Sequence, residues 1–184
     1  MIGFVILGIL VIAAFALISI YNGLVGLRVR ADNAWSDIDV QLKRRHDLIP
    51  NVVETVKGYA THERGTLEVV IQARSRAVSV ESAGPAERAA AEGAVTSALR
   101  GLFALAESYP QLRAVESFTQ LQSQLAQIED AIQNARRYYN AVVRDLNTKV
   151  VQFPSNVVAG MFGVKPREFF ETPEADRAVP QVKF

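Results

Sequence analysis

Two histidines stand next to acids in one stretch, QLKRRHDLIPNVVETVKGYATHE at residues 41–63: His46 with Asp47, and His62 with Glu63. Such pairs are the raw material of metal sites and of acid–base catalysis. Their spacing supports neither. His46 and His62 are sixteen residues apart, which on one helix means about 24 Å of rise and about 160° of rotation. Four residues beyond each histidine stand Pro50 and Thr66, where a helical metal pair would need a second histidine or a carboxylate. Asp37 and Asp39, two residues apart, point about 200° away from each other on a helix and cannot act as one carboxylate pair. Their plain role is surface charge, with Asp39 able to meet Lys43 at the i+4 position. The chain has no P-loop, no G-x-G-x-x-G and no G-x-S-x-G. Cysteine is absent, which excludes disulfides, thiolate chemistry and cysteine metal sites. No catalytic residue, cofactor or metal is expected.

The elements that carry these residues are helical from Leu24 to about Val150. Phe118, Leu121, Leu125, Ile128, Ile132, Ala135, Tyr139, Val142 and Leu146 recur at steps of three and four, which makes one apolar seam. An earlier seam joins Trp35, Ile38, Leu42, Ile49, Val52, Val56 and Tyr59, and Leu67, Val70, Ile71 and Ala77 carry it on. Between these segments lies an Ala-rich helix, bounded by ESAGP at residues 81–85, where Gly84 serves as a C-cap and Pro85 opens the helix, and by Tyr109–Pro110. After Val150, Pro154 breaks the chain, Ser155 reads as an N-cap and one short helix fits. The tail holds Pro166, Pro173 and Pro180 and reads as extended, docked through Phe169 and Phe170. The fold class is all-α, an antiparallel bundle of long helices. In this frame Asp47 can cap a new segment that begins at Pro50, so the first long helix is expected to break or kink at residues 46–50. Arg45 lies on the seam between Leu42 and Ile49. It either snorkels to water or pairs with a carboxylate of a facing helix in a polar layer that fixes register.

Residues 2–20, IGFVILGILVIAAFALISI, contain no charge. As a helix they are about 28 Å long, close to the ~30 Å of a bilayer's hydrocarbon core. No basic stretch precedes them and no small-x-small cleavage site follows, so they read as a retained anchor rather than a cleaved signal. Tyr21 falls at the interface, and Arg28 and Arg30 follow. By the positive-inside rule this gives a single-pass protein of the cell membrane, with its N-terminus outside and its C-terminal domain in the cytoplasm. The division is residues 1–22 as anchor, 23–153 as bundle and 154–184 as short helix and tail. Lys and Arg total 20 and Asp and Glu 19, a balance that gives no field for nucleic acid.

YNGLVGLR, AWSDIDVQLKRRHDLIPNVVETVKGYATHE, ARSRA, AESYPQLRA, FTQLQSQLAQIEDAIQNARRYYNAVVRDLN and FPSNVVAGMFGVKPREFF together resemble the LemA family over nearly the whole chain. The resemblance implies a short membrane anchor and a soluble antiparallel helical bundle, with no catalytic residues to carry over. Some family members are implicated in magnetosome membrane formation, which points toward membrane shaping or scaffolding. Two functions follow. One is a membrane-anchored scaffold that forms homo-oligomers and organises or remodels the bilayer. The other is an adaptor for another membrane protein, a protease or transporter, with Asp37, Asp39, Lys43, Arg44, Arg45, His46 and Asp47 as an interaction or register face. Direct contact of the bases at 43–45 with lipid would require the helix to bend at Gly23 or Gly26, because Lys43 lies about 35 Å beyond residue 20 on a straight helix.

Overall fold

A computed structural model describes residues 1–60 and 62–171. The protein is all-helical, with no strand among the described residues. Among the described residues six helices follow in order: α1 Ile2–Lys57, α2 Arg64–Ser79, α3 Pro85–Ala106, α4 Pro110–Arg113, α5 Glu116–Val151 and α6 Ser155–Met161. They form two compact units. Of the described residues, the first comprises 1–37 and 137–167, the second 38–136 and 168–171.

The first unit starts with the apolar part of α1, whose large side chains from Ile2 to Ile18 are exposed. Six residues later Leu24 is fully buried, and it packs with Leu27, Leu146, Val158 and Ala159. Ile20, Tyr21, Val150 and Val164 close over this cluster. Trp35 meets Tyr139 with ring centroids 5.3 Å apart, and Lys149 approaches Gly23, so here α1 and α5 run antiparallel. Asn147 holds the chain beyond α6: its amide donates to Arg167 O at 2.9 Å and its oxygen accepts from Arg167 N at 2.8 Å. Arg167 then pairs with Asp32 at 2.5 Å. Gly163 (φ 65) gives α6 the left-handed residue that lets the chain turn away.

The second unit is built on Ile49, Val52 and Val56 of α1, Leu67 and Val70 of α2, Val95, Leu99 and Leu102 of α3, Leu112 of α4, and Phe118 and Leu125 of α5. Phe103 meets Phe118 edge-on with centroids 6.3 Å apart. Phe170 is buried, with the Arg136 guanidinium 5.2 Å from its ring centre, so the tail docks here as expected. Pro173 and Pro180 lie outside the described residues.

Four local expectations are corrected. α1 does not break at 46–50; it runs through Pro50 to Lys57, and Asp47 is an ordinary helical residue. Proline removes the N–H that His46 O would accept, and Arg74 Nε supplies the missing donor at 2.8 Å. Gly84 caps the start of α3 (φ −64, ψ 162), while Val80 is the C-cap of α2. Ser155 does not cap α6. It is the helix's first residue, and its hydroxyl lies 2.6 Å from Lys149 O in the last turn of α5 and 2.8 Å from Gln152 O just beyond it. Tyr59 and Ile71 are exposed, because α1 ends before Tyr59 and the buried stripe of α2 passes through Leu67, Val70 and Ala77.

Candidate functional site

Arg45 is 1% exposed, among the apolar residues of its own helix, Leu42 and Ile49. Its guanidinium is bound from two sides. Nη2 pairs with Glu92 Oε2 and donates to Glu92 O at 3.3 Å. Nη1 donates to Glu129 Oε2 at 2.7 Å and to Thr96 Oγ1 at 2.9 Å. One side chain thereby ties α1 to α3 and α5, a task suited to the rigid planar fork of arginine. His46 Nε2 stands 3.1 Å from Glu92 Oε1, and its carbonyl receives Arg74 from α2. Gln133 holds Glu129 Oε1 at 3.1 Å. All four long helices of this unit therefore meet at one polar layer.

Burial pushes the Glu92 carboxyl up, but the hydrogen bond with His46 and the charge of Arg45 outweigh it and hold the group below its ordinary range. Glu92 is thus ionised at neutral pH. Arg136 is shifted down by burial, which the attraction of Glu129 only partly offsets. Arg45 and Arg136 set two cations against the carboxylates of Glu92 and Glu129. A second buried base, Arg88, places Nη2 2.6 Å from Asp39 Oδ1, a charge contact too poorly aligned for a hydrogen bond. Asp39 therefore meets α3 and not Lys43.

The candidate face divides in two. Arg45 and His46 turn inward into the layer and Asp39 lies at its edge, whereas Asp37, Lys43, Arg44 and Asp47 are exposed. Arg44 and Asp47, with Gln41, Leu48, Gln124 and Gln127, line a groove of about 370 Å³ between α1 and α5. Glu63 accepts from the Tyr109 hydroxyl at 3.1 Å, and His62 is exposed. Among the described residues no three His, Asp or Glu side chains are grouped so as to hold a metal ion. Tyr21, Arg28 and Arg30 follow the exposed apolar segment, and Tyr21 stacks on Phe162 with centroids 4.5 Å apart.

Glu92 escaped the reading of the sequence because the Ala-rich helix gives no contrast between its faces. A signal was nonetheless there. Arg88, Glu92, Val95, Leu99 and Leu102 recur at steps of four and three, and all five are buried. Charged members on a buried stripe require partners.

Fold and layer define a class: an all-helical protein with, among the described residues, one exposed apolar helix long enough to cross a bilayer, and with buried ionic groups that pair with one another. The chain belongs to the LemA family, whose sequence profile matches residues 34–184. Among its relatives, magnetosome proteins MamQ 1 and MamQ 2 of Paramagnetospirillum magneticum are each 25% identical over 201 residues, covering 95% of this chain and 74% of theirs. Protein LemA of Metamycoplasma hominis is 29% identical over 147 residues, 79% of this chain and 66% of that one. Neither the family's description nor these names denotes an enzyme.

Proposed function

We propose that the protein is a membrane-anchored, non-enzymatic scaffold that self-associates and organises or remodels the bilayer holding residues 2–20. The observation that carries this reading is the abrupt change along α1. Apolar side chains exposed up to Ile18 give way to Leu24, fully buried within the first unit. An exposed surface of that size is unstable in water and is satisfied by lipid. The relatives named for the magnetosome support a role at a membrane. Self-association has a candidate surface between α2 and α3, a shallow depression of about 640 Å³ lined by Gly65, Val69, Ala73, Ala94, Ala98 and Gly101, none of them charged. Anchoring raises the effective concentration of weak lateral contacts. The full chain reconstituted in phospholipid vesicles is expected to crosslink to itself and to change vesicle shape in electron micrographs. A strictly monomeric protein in unaltered vesicles ends this reading.

The adaptor reading rests on the groove containing Arg44 and Asp47. Its test is Arg44→Glu alone, because Arg45 is buried and its reversal would disrupt the core. Co-purification of a second membrane protein should be lost with helicity unchanged, and undiminished co-purification counts against a partner in this groove.

A further inference from the structure

The end of the first unit that carries the anchor has a second apolar surface. α6 buries Ser155, Val158 and Ala159, the last two against Leu24, Leu27 and Leu146. Its other side, with Asn156, Val157, Gly160 and Met161, is left uncovered. Val157 and Met161 stand one turn apart on it, and Met161 is 66% exposed. Phe153, 78% exposed, and Val151 extend the surface toward the end of α5. Large apolar side chains grouped on one uncovered surface mark a contact site.

Two observations identify what covers this face. The first is continuity with the apolar part of α1. Phe162 stacks on Tyr21, which directly follows the exposed apolar run, and Ile20 and Val150 both pack on the cluster around Leu24. The uncovered face of α6 thus begins at the level where the exposed apolar helix ends. The second is charge. Residues 21–31 and 149–166 contain Arg28, Arg30, Lys149 and Lys165 and no acid. Lys149 Nζ lies 3.9 Å from where a Cβ of Gly23 would stand. Gly23 is about 4.5 Å along the helix from residue 20, inside a Debye length of about 8 Å. Apolar side chains on segments that carry bases and no acid, at the end of a spanning segment, match the boundary between acyl chains and anionic headgroups.

We propose that α6 and the turn at Phe153 form a second, non-spanning membrane contact. Phe153, Val157 and Met161 enter the headgroup–acyl boundary, and Lys149 and Lys165 lie against anionic phosphates. The proposal rests on the reading that residues 2–20 cross the bilayer, and the test separates the two. The chain lacks cysteine, so Val157→Cys, Met161→Cys, Leu10→Cys and Gln122→Cys each give one site for an environment-sensitive fluorophore. The labelled full chains go into phosphatidylcholine–phosphatidylglycerol vesicles, with nitroxide lipids placed shallow or deep. Labels at 157 and 161 should show blue-shifted emission and be quenched by the shallow nitroxide, more strongly as phosphatidylglycerol increases. The label at 10 should be quenched by the deep nitroxide, and the label at 122 by neither. Water-like emission at 157 and 161 beside a quenched label at 10 overturns the contact and leaves the anchor standing. Blue-shifted but unquenched labels mean that protein covers the face, which also overturns it. An unquenched label at 10 removes the spanning helix and this proposal together.

Discussion

Arg45 costs the fold a desolvated cation, and its value depends on complete pairing. Removing one partner of a buried pair costs about 3–5 kcal/mol, whereas replacing the whole pair with apolar side chains of similar volume is often neutral or stabilising. Glu92→Gln is therefore expected to cost about 3 kcal/mol, the lower end of that range, because Glu129 still faces Arg45. The double variant Arg45→Met/Glu92→Leu should cost less than either single change, measured by denaturant unfolding. The acid limb has a definite sign. Glu92 titrates below its ordinary value of 4.5 in the folded state. Its contribution is complete above that value and is lost as pH falls through the lowered one. Stability of the parent should drop on acidification below about 4.5, and Glu92→Gln should flatten that limb. An identical pH profile in both proteins would show that Glu92 carries no such linkage. The sequence alone places Arg45 on a seam and leaves two placements open. The partners are 47 and 84 residues away along the chain, and local spacing holds no record of which helix faces which.

At the scale of the element, α1 illustrates why a proline break was the natural reading and why it does not occur. An interior proline costs a helix about 3 kcal/mol through a lost hydrogen bond and a ring clash. Local rules therefore favour a new segment capped by Asp47. Arg74, on another helix, changes the balance by satisfying His46 O. Arg74→Met should cost about 1–3 kcal/mol, the range for a buried polar group left unpaired. Pro50→Ala supplies the backbone N–H that proline lacks, so in that background Arg74→Met should be nearly silent. Equal costs of Arg74→Met in both backgrounds, measured as a double-mutant cycle, would rule out the carbonyl as the link. The face between α2 and α3 gives a separable test of self-association. Nothing lies within 4 Å of a Cβ at Gly101, so Gly101→Glu introduces a charge without a clash. Replacing a helical glycine adds up to about 1 kcal/mol of helix propensity. The variant should hold or raise its melting temperature while losing oligomers in vesicle crosslinking. Unchanged crosslinking would move self-contact to another surface.

Across the whole molecule, the fold class was legible because the apolar steps of three and four in residues 118–146 leave no room for a strand period. The exposed segment was legible because 19 uncharged residues need no partner to be recognised. The grouping into two units was not legible. α1 and α5 each contribute to both, and their seams pass from Trp35 to Ile38 and from Ile132 to Tyr139 without a change of spacing. Orientation across the bilayer is a property of the whole chain and can be argued from charge. Folding brings Lys165 near Arg28 and Lys149 near Gly23, but topology is set by bases within roughly 15–20 residues of the span. Among the bases that follow the span, only the two arginines meet that condition. Replacing both with glutamine and inserting lysines after Met1 should therefore invert a large share of the molecules. A cysteine at Gln122 reports the outcome. In the parent it should be protected from a membrane-impermeant maleimide in intact cells, and in the charge-reversed chain it should be labelled. Labelling of the parent from outside would reverse the assigned orientation, and Arg28 and Arg30 would then lie on the side of the membrane that the positive-inside rule disfavours.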